Sequence, residues 1–149
     1  KTNNALQIAQ WLESVPVMYY PWGLQSTAIR FKNSMQENAK THVIVEDVIE
    51  TCHNGIVAWN KPNKFQPILL QGKDDHVKTK ERWKIIKEFF QEKDIKYNEI
   101  FSPEGNVLSK ITSLIYLLDY VSIYKAIISN IDPTPVKEID FIKQRLTEL

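Results

Sequence analysis

The chain has 149 residues, 43% of them hydrophobic and only four of them glycine, which is enough for one ordinary domain with a real core and excludes a disordered chain. Nineteen basic residues against eighteen acidic ones leave a formal charge of +1, so no overall field favours nucleic acid or an anionic membrane, and any phosphate has to be held locally. The single cysteine, Cys52, excludes an internal disulfide and has no zinc-ligand spacing around it, which fits a reducing cytoplasm. The opening Lys1-Thr2-Asn3-Asn4 has neither an initiator Met nor an apolar signal core, so it reads as a piece of a longer protein and not as a targeting segment.

Leu6, Ala9 and Leu12 predict a helix over Asn4 to Glu13, followed by a buried strand from Val15 to Pro21. Trp22-Gly23-Leu24 is a turn, and Leu24, Ala28, Phe31, Met35 and Ala39 place one apolar stripe on a helix from Gln25 to about Ala39. Strand, glycine turn and helix open a βαβ unit. Thr41 to Val45 is a short β-branched strand leading into a polar turn at Thr51-Cys52-His53-Asn54-Gly55, and Ile56 to Trp59 closes that region. After a Pro/Asn/Lys loop, Gln66 to Gly72 is a second buried strand, and Val77 to Lys93 a helix with Trp83, Ile86, Phe89 and Phe90 inward. Lys96 to Phe101 is a weaker strand ending in the turn Ser102-Pro103-Glu104-Gly105.

Val107 to about Asn130 is the most apolar stretch, yet Ser109, Lys110, Thr112, Ser113, Asp119 and Lys125 interrupt it and would be costly in lipid. It reads as a buried helix, not a membrane span. Asp119, Ser122 and Tyr124 within it need polar partners. Asp132-Pro133-Thr134-Pro135 breaks the helix, with Thr134 as N-cap and Pro135 at the first position of a last helix. Strands alternating with helices predict an α/β fold, a three-layer sandwich whose mostly parallel sheet is flanked by helices, with residues 1–149 forming a single domain.

No GxGxxG, Walker-type loop, HExxH or Cys/His ligand pair is present, so neither a nucleotide cofactor nor a metal has a local signature. Three side chains are candidates for chemistry. Glu37, in the last turn of its helix, is either a solvated surface carboxylate or a general base; the helix dipole favours cations there. His53 precedes Asn-Gly at a loop tip and is either an inert turn residue or a proton shuttle, since histidine alone titrates unperturbed near neutrality. On the last helix Val136, Ile139, Ile142, Leu146 and Leu149 form a stripe, and Lys143 points between Val136 and Ile139. Lys143 either snorkels past the core edge or aims a positive charge into a cleft, whereas Lys137 faces the other way and reads as solvated.

Arg30-Phe31-Lys32, then Gln36-Glu37-Asn38-Ala39-Lys40, then His53-Asn54-Gly55-Ile56-Val57-Ala58-Trp59 resemble the bacterial and archaeal bifunctional phosphoglucose/phosphomannose isomerases. Asp119 to Ile127 and Asp132-Pro133-Thr134-Pro135-Val136 extend the likeness nearly end to end, and the Glu-Asn-Ala-Lys and His-Asn pair, sixteen positions apart, is its most specific element. The resemblance implies a sugar-isomerase (SIS) domain of flavodoxin-like architecture, the C-terminal half of a two-domain enzyme. It implies interconversion of glucose 6-phosphate or mannose 6-phosphate with fructose 6-phosphate, without metal or nucleotide cofactor. It puts the base on Glu37, ring opening on His53 and the C-terminal-helix lysine on Lys143, and adds Arg30 and Thr134 as substrate-binding residues. It also implies a homodimer in which each active site takes its histidine from the other subunit.

The family carries a Gly- and Ser/Thr-rich phosphate loop on an N-terminal SIS domain, and this chain has no such loop; its first turn, Tyr20-Pro21-Trp22-Gly23, is bulkier. The phosphate grip is therefore expected on an N-terminal SIS domain or a partner chain. The competing expectation is a non-catalytic SIS module that binds a sugar phosphate or dimerises. A deaminase or sugar-phosphate transferase relative is a third, with no glutamine-processing nucleophile to support it.

Overall fold

The computed structural model describes residues 2–61 and 64–148, so Leu149 of the last expected stripe and two residues of the loop before the second buried strand lie outside it. Strands β1 (Val15–Tyr20), β2 (Ile44–Asp47), β3 (Phe65–Gln71) and β4 (Asn98–Phe101) form one sheet in the order β2-β1-β3-β4. Every pairing is parallel: Met18 lies beside Val45 on one side and Ile68 on the other, and Leu70 beside Ile100. The chain steps outward from β1 to β2, returns to β3 and steps the other way to β4. With right-handed crossovers, that order sends helices to both faces.

Alternation along β1 assigns the two cores, because successive side chains point to opposite faces. Met18 and Tyr20 join Ile68, Leu70 and Ile100 under α1 (Asn4–Trp11), α2 (Gln25–Asn38) and α5 (Val107–Ile128). Val17, Tyr19 and Leu69 face α3 (Val48–Thr51), a short 3₁₀ helix (Gly55–Asn60) and α4 (Val77–Glu92), meeting Val48, Trp59, Trp83, Ile86 and Phe90. The expected three-layer α/β sandwich is thus the observed fold. Gln66 ties the layers at the sheet's lower edge: its Oε1 accepts from the Glu13 and Ser14 N–H groups at 2.6 Å each, and its Nε2 donates to the Trp11 carbonyl at 2.9 Å.

Several expected boundaries and burials differ. The strand placed at Thr41–Val45 begins three residues later, because Thr41 finishes the preceding helix. Its N–H donates to the Met35 carbonyl at 3.2 Å and its Oγ1 to the Ala39 carbonyl at 3.0 Å. The expected buried helix, α5, buries only one side, through Leu114, Leu118, Val121, Ser122 and Ala126; Tyr116, Tyr120, Ile123 and Ile127 are exposed. By length and composition α5 could cross a membrane, but that test is also met by core helices. Its polar groups are engaged within the fold, Lys125 Nζ donating to the Leu12 carbonyl at 2.5 Å and Asp119 and Ser122 meeting α2.

The last helix, α6 (Lys137–Thr147), buries none of its side chains. Its apolar stripe is open to solvent, with Ile139 43%, Ile142 56% and Leu146 65% exposed. Thr134 is not its N-cap. Asp132 instead closes the turn ahead of the helix, accepting the Thr134 N–H at 2.9 Å, and the helix starts three residues after Thr134, behind Val136, with no side-chain cap. Glu138 and Asp140 in its first turn favour the helix dipole instead.

Candidate active site at the end of α2

The stripe Ala28, Phe31 and Met35 buries one side of α2, which leaves Asn33, Gln36 and Glu37 on its outer side. The helix ends in a left-handed residue, Lys40 (φ 52°), around which the Thr41 N–H reaches back to Met35. Lys40 Nζ donates to two carbonyls at 2.7 Å each, that of Glu37 in the last turn and that of Pro135 in the segment entering α6.

Between these two segments lies a groove of about 770 Å³, lined by Glu37, Lys40, His42, Asp132, Lys137 and neighbouring residues. Its ionisable groups are the carboxylates of Glu37, Asp132 and Glu138, the ammonium groups of Lys40 and Lys137, and the His42 imidazole, which lies 3.4 Å from the Gln36 amide nitrogen. Asp132 is held below the usual carboxylate range, first by the Thr134 N–H and hydroxyl and in smaller part by the charge on Lys40. Carboxylates, cations and an imidazole gathered in one hollow are the types of side chain that proton transfer between carbon and oxygen uses.

His53 lies elsewhere. Asp47 caps α3 by accepting the Ile49 N–H at 2.7 Å, and the Thr51 hydroxyl donates to the Asp47 carbonyl at 2.8 Å and to Glu46 Oε2 at 3.2 Å. The chain then turns at His53, whose N–H donates to the Glu50 carbonyl at 3.0 Å and whose side chain is exposed. Gly55 leaves room in that turn for the Glu46 carboxylate, with which a Cβ would collide. Beneath it Trp59 Nε1 donates to the Tyr19 hydroxyl at 2.7 Å; burial, reinforced by Glu46 and opposed by that bond, pushes Tyr19 up to about 12. Glu37 and His53 fall beyond opposite ends of β2, four residues or roughly 13 Å of strand. One chain does not bring them together.

The other expected site residues are also separate from the groove. Arg30 faces α5, its Nε and Nη2 reaching the Asp119 carboxylate at 3.1 and 3.0 Å, and Ser34 Oγ adds a 2.6 Å bond to the same group. Burial works to raise the Asp119 carboxyl, but the bonds from Arg30 and Ser34 and the Arg30 charge outweigh it and hold it below its ordinary range. Arg30 is therefore already committed within the fold. Thr134 and Lys143 are exposed and do not line the groove, whereas Lys137 does. The stripe on α6 was expected to face a core; because it does not, the side chain opposite the stripe is not thereby turned from the site. Lys40 carried a sequence signal, a lysine directly after a helix end. His42 carried none, since no periodicity places a residue in a connecting segment.

A doubly wound parallel sheet with this order, covered on both faces, defines the class as a three-layer α/β sandwich. The crystal structure of a glucose-6-phosphate isomerase like protein from Thermus thermophilus has the same fold, with a TM-score of 0.69 at 19% identity over 88% of this chain and 45% of that one. The chain belongs to the family described as "Bacterial phospho-glucose isomerase C-terminal SIS domain", which matches residues 1–146. It is similar to the "Bifunctional phosphoglucose/phosphomannose isomerase" of Caldicellulosiruptor bescii, 34% identical over 97% of this chain and 44% of that protein. The like-named protein of Aquifex aeolicus is 32% identical over 89% of this chain and 42% of its own length. The chain spans less than half the length of these curated relatives.

Proposed function

We propose that residues 1–149 are the C-terminal half of a two-domain sugar-phosphate isomerase that interconverts glucose 6-phosphate or mannose 6-phosphate with fructose 6-phosphate. The observation that carries this, beside the family, is the placement of Glu37 on a groove it shares with Lys40, His42 and Lys137. The pyranose first opens: a proton leaves the hydroxyl on C1, the ring oxygen takes one up, and the C1–O5 bond breaks. His53 fits that step. Because it stands away from Glu37 of its own chain, a second copy has to present it, which supports a homodimer with shared sites. Glu37 then takes the proton from C2 while the carbonyl oxygen on C1 is protonated, giving the enediol; returning the proton to C1, with loss of the proton on O2, yields the ketose.

Lysine at the groove stabilises the developing negative charge on oxygen. The resemblance put the family's C-terminal-helix lysine on Lys143, beside His53 in ring opening; Lys137, which lines the groove, suits the charge-stabilising role. Arg30 and Thr134 would need to turn from Asp119 and from the α6 approach to touch substrate. The phosphate is held outside this chain, on the N-terminal SIS domain. A second reading, a non-catalytic module that dimerises or binds sugar phosphate, has in its favour the solvent-exposed stripe of α6.

Glu37→Gln in the full-length protein separates the two readings. Isotope exchange at C2 of glucose 6-phosphate should fall at least a hundredfold with binding of that sugar phosphate kept within about threefold, on the scale of a lost general base. Undiminished exchange would remove Glu37 from the reaction.

A further inference from the structure

Lys40 occupies a position where glycine would be the low-cost residue. Its φ of 52° is left-handed, a conformation that disfavours a residue with a Cβ by about 1 kcal/mol or more. What lysine adds there is an ammonium group with two carbonyl acceptors, Glu37 and Pro135, each at 2.7 Å. The first is one of the carbonyls that a helix end leaves without an intrahelical partner. The second lies 95 positions along the chain, immediately before Val136 and the first turn of α6. Because α6 buries no side chain and Val136 is only half-buried, packing does little to fix where α6 starts. The charge of Lys40 also reaches Asp132, which orders the same approach through its bond to the Thr134 N–H.

We propose that Lys40 is a positioning residue that clamps the Glu37 carbonyl to the Pro135 carbonyl, so that the Glu37 carboxylate and the Lys137 ammonium face each other at a fixed separation across the groove. This deepens the reading of Glu37 as the base and rests on it. A donor with three N–H bonds suits the task, since two acceptors on different segments can be held at once while the backbone of Lys40 stops α2. Removing the ammonium loosens one wall of the groove against the other without touching the core, and displacements of about 1 Å at a reacting group cost on the order of a hundredfold in rate.

The test uses Lys40→Gly and Lys40→Arg beside Glu37→Gln in the full-length protein. Lys40→Gly keeps the left-handed helix stop and removes the ammonium. It should lower kcat for fructose 6-phosphate by roughly ten- to a hundredfold with KM changed less than about threefold, and leave Tm unchanged or raised. Lys40→Arg, which keeps a donor fork, should recover most of the rate. In the 149-residue chain, Lys40→Gly should speed hydrogen exchange at the Ile139 and Asp140 amides, which donate to the Val136 carbonyl, and leave that of α5 as it was. Wild-type kcat in Lys40→Gly, or no rescue by arginine, would overturn the clamp. If Glu37→Gln is inactive while Lys40→Gly is not, only the clamp fails; if Glu37→Gln retains exchange, the base assignment fails while the amide exchange still reports on the clamp.

Discussion

Helix α5 is apolar around most of its circumference and α6 is polar but for one apolar stripe, and the two are held in opposite ways. On α5, Leu114, Leu118, Val121 and Ala126 are buried against α1, α2 and the sheet, and its polar residues are absorbed into the same contact. Asp119 takes Arg30 and Ser34, while Asn38 Nδ2 donates to Ser122 Oγ at 2.8 Å and Ser122 Oγ in turn to the Asp119 carbonyl at 2.7 Å. On α6 the stripe of Ile139, Ile142 and Leu146 meets solvent, and the helix is joined to the domain through its first residues and the Lys40 bond. The difference teaches that an apolar period specifies a helix and its preferred face, but not that this chain supplies the cover. The proposed catalytic groove lies where the two regimes meet, between the well-packed end of α2 and the loosely held start of α6.

The sharpest way to break the comparison is to cut into the buried side of α5. Leu118 is fully buried in the main core, so Leu118→Ala should lower unfolding free energy by about 2–5 kcal/mol, measured by urea denaturation. A loss under about 1 kcal/mol would mean that α5 packs no more firmly than α6.

The helical stripe that located α2 and the apolar runs that located α5 and the strands made most of the fold readable. The runs at β1 and β3 are apolar because both faces of a parallel sheet are covered, and Ala28, Phe31 and Met35 recur at the spacing of one helical face. The need of Asp119 and Ser122 for partners was readable too, since burial demands it. Which partners was not: Arg30 and Ser34 lie more than eighty positions away, and Arg30 was expected on substrate. The site was legible only in part for a similar reason. Lys40, His42 and Lys137 are brought together by the course of connecting segments, where no period operates. The exposed half of α5 reads as core because apolar content alone does not reveal which face stays open.

The polar seam between α2 and α5 offers a second, smaller test. Its carboxylate has a lowered pKa in the fold, so its contribution is present above the unfolded value near 3.9 and is lost as pH falls through the lower folded value. Asp119→Asn should therefore reduce stability at pH 7 by about 1–2 kcal/mol, discounted for the half-exposed Arg30, and flatten the fall in stability below about pH 4. Parallel acid limbs in wild type and variant would show that the Arg30 and Ser34 contacts do not depend on the Asp119 charge.

The smallest expected effect falls on α6 and decides whether its stripe is idle. Ile142 is 56% exposed, so Ile142→Ala should change the stability of the 149-residue chain by no more than about 0.5 kcal/mol. The removed methyl groups leave water in part and not a packed core, and alanine's better helix propensity offsets some of the loss. The comparison that matters is the same substitution in the full-length protein. A cost above about 1.5 kcal/mol there, against almost none in the shorter chain, would mean that something outside these residues covers the stripe and that α6 becomes as firmly held as α5. An equal, near-zero effect in both would leave Lys40 and the loop before Val136 to position the groove wall, and would make the Lys40→Gly result correspondingly larger.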